Sequence, residues 1–89
     1  MESQHGQQKL IVEAVAALKE LECDNTVAKN IKLKVQEIIA VLEKNEGLTF
    51  RTVKALDEIE ELTNNPHLDQ QMRTQLWNVA SILEKSNGQ

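Results

Sequence analysis

His5, His67 and Cys23 are the side chains best suited to act as nucleophile, base or soft metal ligand, so their spacing decides what chemistry is open to the chain. Neither histidine has a second His or Cys at the short spacings from which metal sites are built. Cys23 lies between Glu22 and Asp24, whose charges discourage the thiolate that a reactive cysteine needs. Carboxylate metal sites in helical bundles use Glu-x-x-His pairs on facing helices, and the chain contains none. Gly6, Gly47 and Gly88 are isolated, so there is no Gly-rich loop to cradle a phosphate. Asp57, Glu58, Glu60 and Glu61 read as the solvated face of a helix before they read as a cation site. The expectation is a protein that is not an enzyme, with no catalytic residue, no metal and no cofactor.

What remains is a binding constellation. Arg73 and Trp77 are four residues apart, so on a helix they share one face, and Arg can lie over an indole ring as a cation–π pair. Trp and Arg are also the types most enriched where partners bind. Arg73, Trp77 and the adjacent Asn78 therefore form the candidate binding site. The competing reading has Trp77 widening the buried stripe with Arg73 stretched across it, and small cores do recruit their one Trp. Asn78 is either a polar residue bonded inside the bundle or an exposed one. A second candidate is the basic run Lys29, Lys32 and Lys34, which would suit a nucleic-acid accessory protein. No aromatic platform is interleaved with it, so a solvated face is the simpler account.

The elements that would position these groups follow from apolar spacing. Met1 to Gln7 has no apolar residue after Met1 and reads as a frayed tail. Ile11, Ala14, Val15, Leu18 and Leu21 predict a first helix over about 8–22. Cys23-Asp24-Asn25-Thr26 is a break, with Asn25 or Thr26 as the cap of the next helix. Val27, Ile31, Val35, Ile38 and Leu42 predict a second helix over about 27–45, ended by a left-handed Gly47. Thr49 reads as the cap of a third helix, 50–63, whose buried face is Val53, Leu56, Ile59 and Leu62. Thr63-Asn64-Asn65-Pro66-His67 is the second break, because Pro66 donates no backbone bond and disfavours helix before it. Asp69 reads as the cap of a fourth helix, 69–85, with Met72, Leu76, Val79 and Leu83 inside and residues 86–89 as a frayed end.

The chain also resembles itself. A shift of 41 residues lays Leu10–Lys44 over Arg51–Lys85, with seven identical pairs: Val12/Val53, Ala14/Ala55, Glu20/Glu61, Leu21/Leu62, Leu42/Leu83, Glu43/Glu84 and Lys44/Lys85. Both breaks superimpose. A period near 41 is that of helical solenoids, but two repeats are too few for an open stack. The fold expected is all-α, a closed four-helix up-and-down bundle made of two tandem hairpins, forming one domain over 1–89. Val41 and Ile82, off the main stripes at matching positions, could form an apolar patch suited to a symmetric homodimer.

Composition agrees. Apolar residues are 40% and aromatics 2%, so the core must be aliphatic, which favours helices over sheets. A net charge of −4 makes nucleic acid an improbable partner. Leu10–Leu18 is interrupted by Glu13 and is too short to span a bilayer or serve as a signal core. One cysteine allows no internal disulfide, and the cytoplasm is the expected location.

Two stretches carry a resemblance. Asn25-Thr26-Val27-Ala28-Lys29-Asn30-Ile31-Lys32 and Met72-Arg73-Thr74-Gln75-Leu76-Trp77-Asn78 resemble signatures of a small archaeal family, uncharacterised protein family zero-one-four-seven. The resemblance extends from about Leu10 to Lys85. That family often has Pro where this chain has Ala28, and Arg where it has Lys29. It implies a short all-helical protein and supplies no catalytic or binding residue. The reading that remains is a module that binds another protein, or itself, through Arg73, Trp77 and Asn78.

Overall fold

Four aliphatic stripes at helical spacing can be buried together only if each helix is covered on two flanks. The computed structural model, which describes the backbone of residues 2–44 and 46–86 and the side chains of 9–44 and 46–86, meets that requirement with a ring. Its helices are α1 (Glu2–Glu22), α2 (Lys29–Glu43), α3 (Leu48–Thr63) and α4 (Gln70–Ser86). α1 packs on α2, α2 on α3 and α3 on α4, and α4 closes back on α1 through the most extensive of the four contacts. The result is a four-helix bundle measuring 41 × 21 × 18 Å.

Most of the predicted lines form the core, with Val15 and Leu56 only partly buried against it and Ile39 and Val41 added to it. Ile11, Ala14, Leu18 and Leu21 face Ile31, Val35, Ile38 and Leu42 on one side and Met72, Leu76, Val79 and Leu83 on the other, with Ala55, Ile59 and Leu62 completing the ring. Ala14 and Ala55, 41 residues apart, are both fully buried. Each fully buried Leu or Ile contributes about 1.5–3 kcal/mol relative to exposure.

Several boundaries depart from the sequence reading. α1 starts at Glu2 and not near Gln8, and α4 runs through Ser86, which is buried and donates its hydroxyl to the Leu83 carbonyl at 2.8 Å. The expected frayed end at 87–89, like the α2 end expected at Asn45, lies outside the described residues. Val53, expected on the buried face of α3, is exposed, and Thr52 takes the inner position by returning its hydroxyl to the Leu48 carbonyl at 2.8 Å. That bond satisfies a buried polar atom inside its own helix.

The caps explain the turns. Asp69 does cap α4, accepting the Met72 N–H at 2.8 Å. Thr49 lies inside α3, and Gly47 is the N-cap there, with φ −55° and not in the left-handed region. A left-handed stop is unnecessary because the Arg51 guanidinium, reaching back from α3, donates to the Leu42 carbonyl at 2.7 Å. Neither Asn25 nor Thr26 caps α2. Ala28 stands at that N-cap without a side-chain bond, while Thr26 is held by Asp24, whose Oδ1 accepts the Thr26 N–H at 2.9 Å and its hydroxyl at 2.7 Å. Forty-one residues on, Asn65 Oδ1 accepts the His67 N–H at 2.9 Å. The backbone bonds Val27 N–H to Asp24 carbonyl and Leu68 N–H to Asn65 carbonyl match as well, both at 3.1 Å. In each turn the residue that follows, Val27 or Leu68, is buried as a plug.

Asp69→Ala loses the α4 cap and should cost about 0.5–2 kcal/mol. Ala28→Pro meets a backbone φ of −62° that proline already prefers and should add about 0.4–1 kcal/mol by restricting the unfolded chain; urea midpoints read both. The Thr26 backbone N–H, and next its hydroxyl, hold the Asp24 carboxyl below its usual range. A lowered folded pKa stabilises the protein above the ordinary aspartate value of about 3.9 and loses that contribution as pH falls through the folded pKa. Asp24→Asn keeps the turn acceptor, as Asn65 does, and should flatten that part of the acid-unfolding profile.

Candidate functional site

Two aromatic side chains are all that this chain has, Phe50 and Trp77, and both are outside the core. Phe50 is 55% exposed and Trp77 53%, with Val53 beside them at 51%. They line one open groove of about 640 Å³ between α3 and α4, floored by Leu56, Ile59 and Ala80. The geometry comes from helical phase. On α4 the buried line is Met72, Leu76, Val79 and Leu83, and Trp77 sits about 100° round from Leu76, on the flank shared with Ala80 and Glu84. On α3, Phe50 and Val53 lie on the corresponding flank, together with Asp57 and Glu60.

This overturns the core placement that a small domain's single Trp suggested. The position 41 residues before Trp77 is Gln36, a solvent position, so the repeat register already assigned Trp77 to the surface. Phe50 is the first residue of the third helix that the spacing predicts, 50–63. One step beyond the aligned span it matches Lys9, and the same register would have placed it in solvent.

The three predicted site residues do not converge. Trp77 lines the groove. The Arg73 guanidinium is occupied in holding the end of α3: Nε donates to the Thr63 carbonyl at 3.1 Å and Nη2 to the Asn65 carbonyl at 3.2 Å. The Thr63 carbonyl belongs to the last turn of α3, whose carbonyls the helix itself leaves open, and the Asn65 carbonyl takes Arg73 as a second donor beside the Leu68 N–H, so Arg73 is a latch between α3 and α4. Asn78 is exposed and does not line the groove.

The basic run is divided. Lys34 lies 3.8 Å from Glu61 on α3 and 3.7 Å from Glu37, whereas Lys29 and Lys32 are about 140° and 200° round the helix from it. The expected Val41–Ile82 patch does not form. Val41 is buried and Ile82 is partly buried against the core. Val41 follows Lys34 by seven residues, on the side of α2 that meets α3. His67 and Cys23 are exposed in the turns, and no group of three potential metal ligands occurs among the described residues. No helix there is long and apolar enough to cross a membrane.

The groove rim is acidic. Asp57, Glu60 and Glu84 line it with one cation, Lys54, and none of the four belongs to the ion pairs found among the described residues. At the positions 41 residues before Glu60 and Glu84, Lys19 and Glu43 approach to 3.6 Å and bridge α1 to α2. The Gln36 amide likewise donates to Glu22 at 2.8 Å, where the second hairpin has Trp77 and Thr63. A half-exposed indole should be quenched readily by acrylamide, with emission to the red of a buried Trp. Trp77→Ala should leave the urea midpoint nearly unchanged, against the 3–5 kcal/mol that truncating a core Trp costs. An unquenchable blue emission with an unfolded Trp77→Ala would contradict the placement.

Comparison with known proteins bears on what the whole chain is. A family model described as uncharacterised protein family UPF0147 matches residues 1–86. A UPF0147 protein of Thermoplasma acidophilum is 36% identical over 78 residues, covering 86% of this chain and 89% of that protein. One from Methanosarcina mazei is 30% identical over 83 residues, covering 92% and 89%. One from Methanocaldococcus jannaschii is 33% identical over 69 residues, covering 76% and 74%. No solved structure matches. With the model spanning both hairpins and archaeal relatives aligned along most of their own length, the chain belongs to the uncharacterised protein family UPF0147.

Proposed function

We propose that this protein is a non-enzymatic interaction module that docks another protein in the groove between α3 and α4. One observation carries the reading: Phe50, Val53 and Trp77, each about half exposed, line the same groove. Leaving apolar surface in water forgoes about 25 cal/mol for every Å². Contiguous apolar surface with a polar rim is characteristic of docking sites, and a rigid Trp is the side chain most often found at their centres. Arg73 supports the site without contacting a partner, because its bonds to Thr63 and Asn65 fix α4 against the end of α3.

On this reading the two hairpins are a tandem repeat in which the second has been adapted for binding and the first for support. The matching turns, Asp24–Thr26 and Asn65–His67, support that view. The single thiol, Cys23, fits a cytoplasmic setting.

Replacing Phe50 with a photo-reactive phenylalanine analogue tests the reading in native lysate. Cross-links should form to a discrete partner and be lost in the Trp77→Ala background. The same analogue at Leu33, an equally exposed apolar position on α2, should not capture that partner. Equal capture from both positions would reject the groove as the docking site.

A further inference from the structure

The second hairpin keeps an open groove because it differs from the first at positions 41 residues apart. In the first hairpin, Ile39 is buried between the helices, the Lys19–Glu43 pair bridges them and the Gln36–Glu22 bond adds a second tie. The second hairpin has Ala80, the acidic pair Glu60 and Glu84, and the pair Trp77 and Thr63 at those places. Ala80 withdraws volume from the interface. Two glutamates repel where a lysine and a glutamate attract. Trp77 supplies an apolar wall where Gln36 supplies a tie. All three exchanges act in the same direction, and together they leave an apolar channel flanked by carboxylates.

The charge of that channel selects its occupant. Three acids and one lysine line it, Asp57, Glu60 and Glu84 against Lys54, for a lining charge of −3 + 1 = −2. A polyanion is repelled, which removes nucleic acid and an anionic lipid surface. A second copy seated groove on groove would set the same acids against each other, because a two-fold contact pairs a surface with itself. The channel is elongated: Phe50 to Thr63 on α3 spans about 20 Å of helix axis. A groove between two antiparallel helices receives a third helix by its apolar face.

We infer that the occupant is an amphipathic basic helix of a different protein, with apolar anchors at i, i+3 or i+4 and i+7 seated on Phe50, Val53 and Trp77, and with flanking Lys or Arg paired to Asp57, Glu60 and Glu84. This rests on the docking reading above and adds the chemistry of the partner. The apolar anchors hold the helix, and the carboxylates choose its sign and speed its approach.

The probe is a helical peptide of about 14 residues with a leucine face and lysine flanks, matched to the groove length, together with its analogue carrying Glu in place of every Lys. Trp77 emission reports occupancy. The lysine peptide should shift Trp77 emission to the blue saturably, more tightly at low salt, and the glutamate analogue should not. Glu60→Lys restores opposite charges at the positions where Lys19 and Glu43 bridge the first hairpin, and should weaken the lysine peptide at least tenfold, by about 1.4 kcal/mol or more, with helicity and melting temperature retained. Glu84→Gln should weaken it in the same direction, so the outcome does not hang on one variant. Equal binding of both peptides, or full affinity in both variants, would overturn the inference about charge while cross-linking from position 50 still supports docking. A lack of any Trp77 shift with either peptide would overturn the basic-helix occupant altogether, and loss of position-50 cross-linking would remove the docking reading beneath it.

Discussion

The stripe of α1 has to be covered from both flanks, and the contact of α4 on α1 is what makes a ring of two hairpins. Within a hairpin, α1 can lay Ile11, Leu18 and Leu21 against α2, and α3 can lay Ile59 and Leu62 against α4. Each hairpin alone would leave one side of its apolar surface in water. α4 closing on α1 removes both exposed sides at once. The fully buried Ala14 and Ala55 occupy matching places in that arrangement, and small side chains there bring neighbouring elements close. Phe50, Val53 and Trp77 stay at the surface with the ring already complete without them.

The turns show how a short loop can be specified without glycine. Asp24 and Asn65 each fold their side chain onto an N–H two residues ahead, and the buried plug that follows, Val27 or Leu68, anchors the turn to the core. Helix ends are then secured from outside. Arg51 and Arg73 reach from α3 and α4 to carbonyls at the end of the preceding helix. These arginines tie consecutive elements together where one helix ends and the chain turns into the next. Arg73, which sequence spacing places on the same helix face as Trp77, is thereby drawn away from the indole and into the framework.

The groove is an asymmetry between two similar halves. The difference between bridged and open hairpins comes down to a few side chains: isoleucine against alanine at 39 and 80, lysine against glutamate at 19 and 60, glutamine against tryptophan at 36 and 77. The first hairpin's ties are exposed and weak singly; an ion pair such as Lys19–Glu43, with both side chains more than half exposed, contributes at most about 1 kcal/mol. Their bearing on function lies in position. They occupy the space that, in the second hairpin, is framed by Phe50, Val53 and Trp77.

What the sequence by itself determined is the set of four helices and nearly all of their buried lines, because period-3.6 spacing of Leu, Ile and Val has one economical solution and Asp69 and Pro66 punctuate it locally. Ile31, Val35, Ile38, Leu42, Met72, Leu76, Val79 and Leu83 are all buried where spacing puts them. What only tertiary structure decided is which flank of each stripe meets a neighbour and which meets water. Trp77 stands about 130° and Val53 about 140° from the centres of the lines that are actually buried on α4 and α3, and Val53 fell outside because the buried line of α3 centres on Thr52, Ala55, Ile59 and Leu62. Val41 and Ile82 stand at about 90° from theirs; Val41 is buried and Ile82 partly so, since they sit on the sides along which one hairpin meets the other. Helical spacing alone points Arg73 at the indole, and its partners, the carbonyls of Thr63 and Asn65, come within reach only once the chain has turned at Pro66.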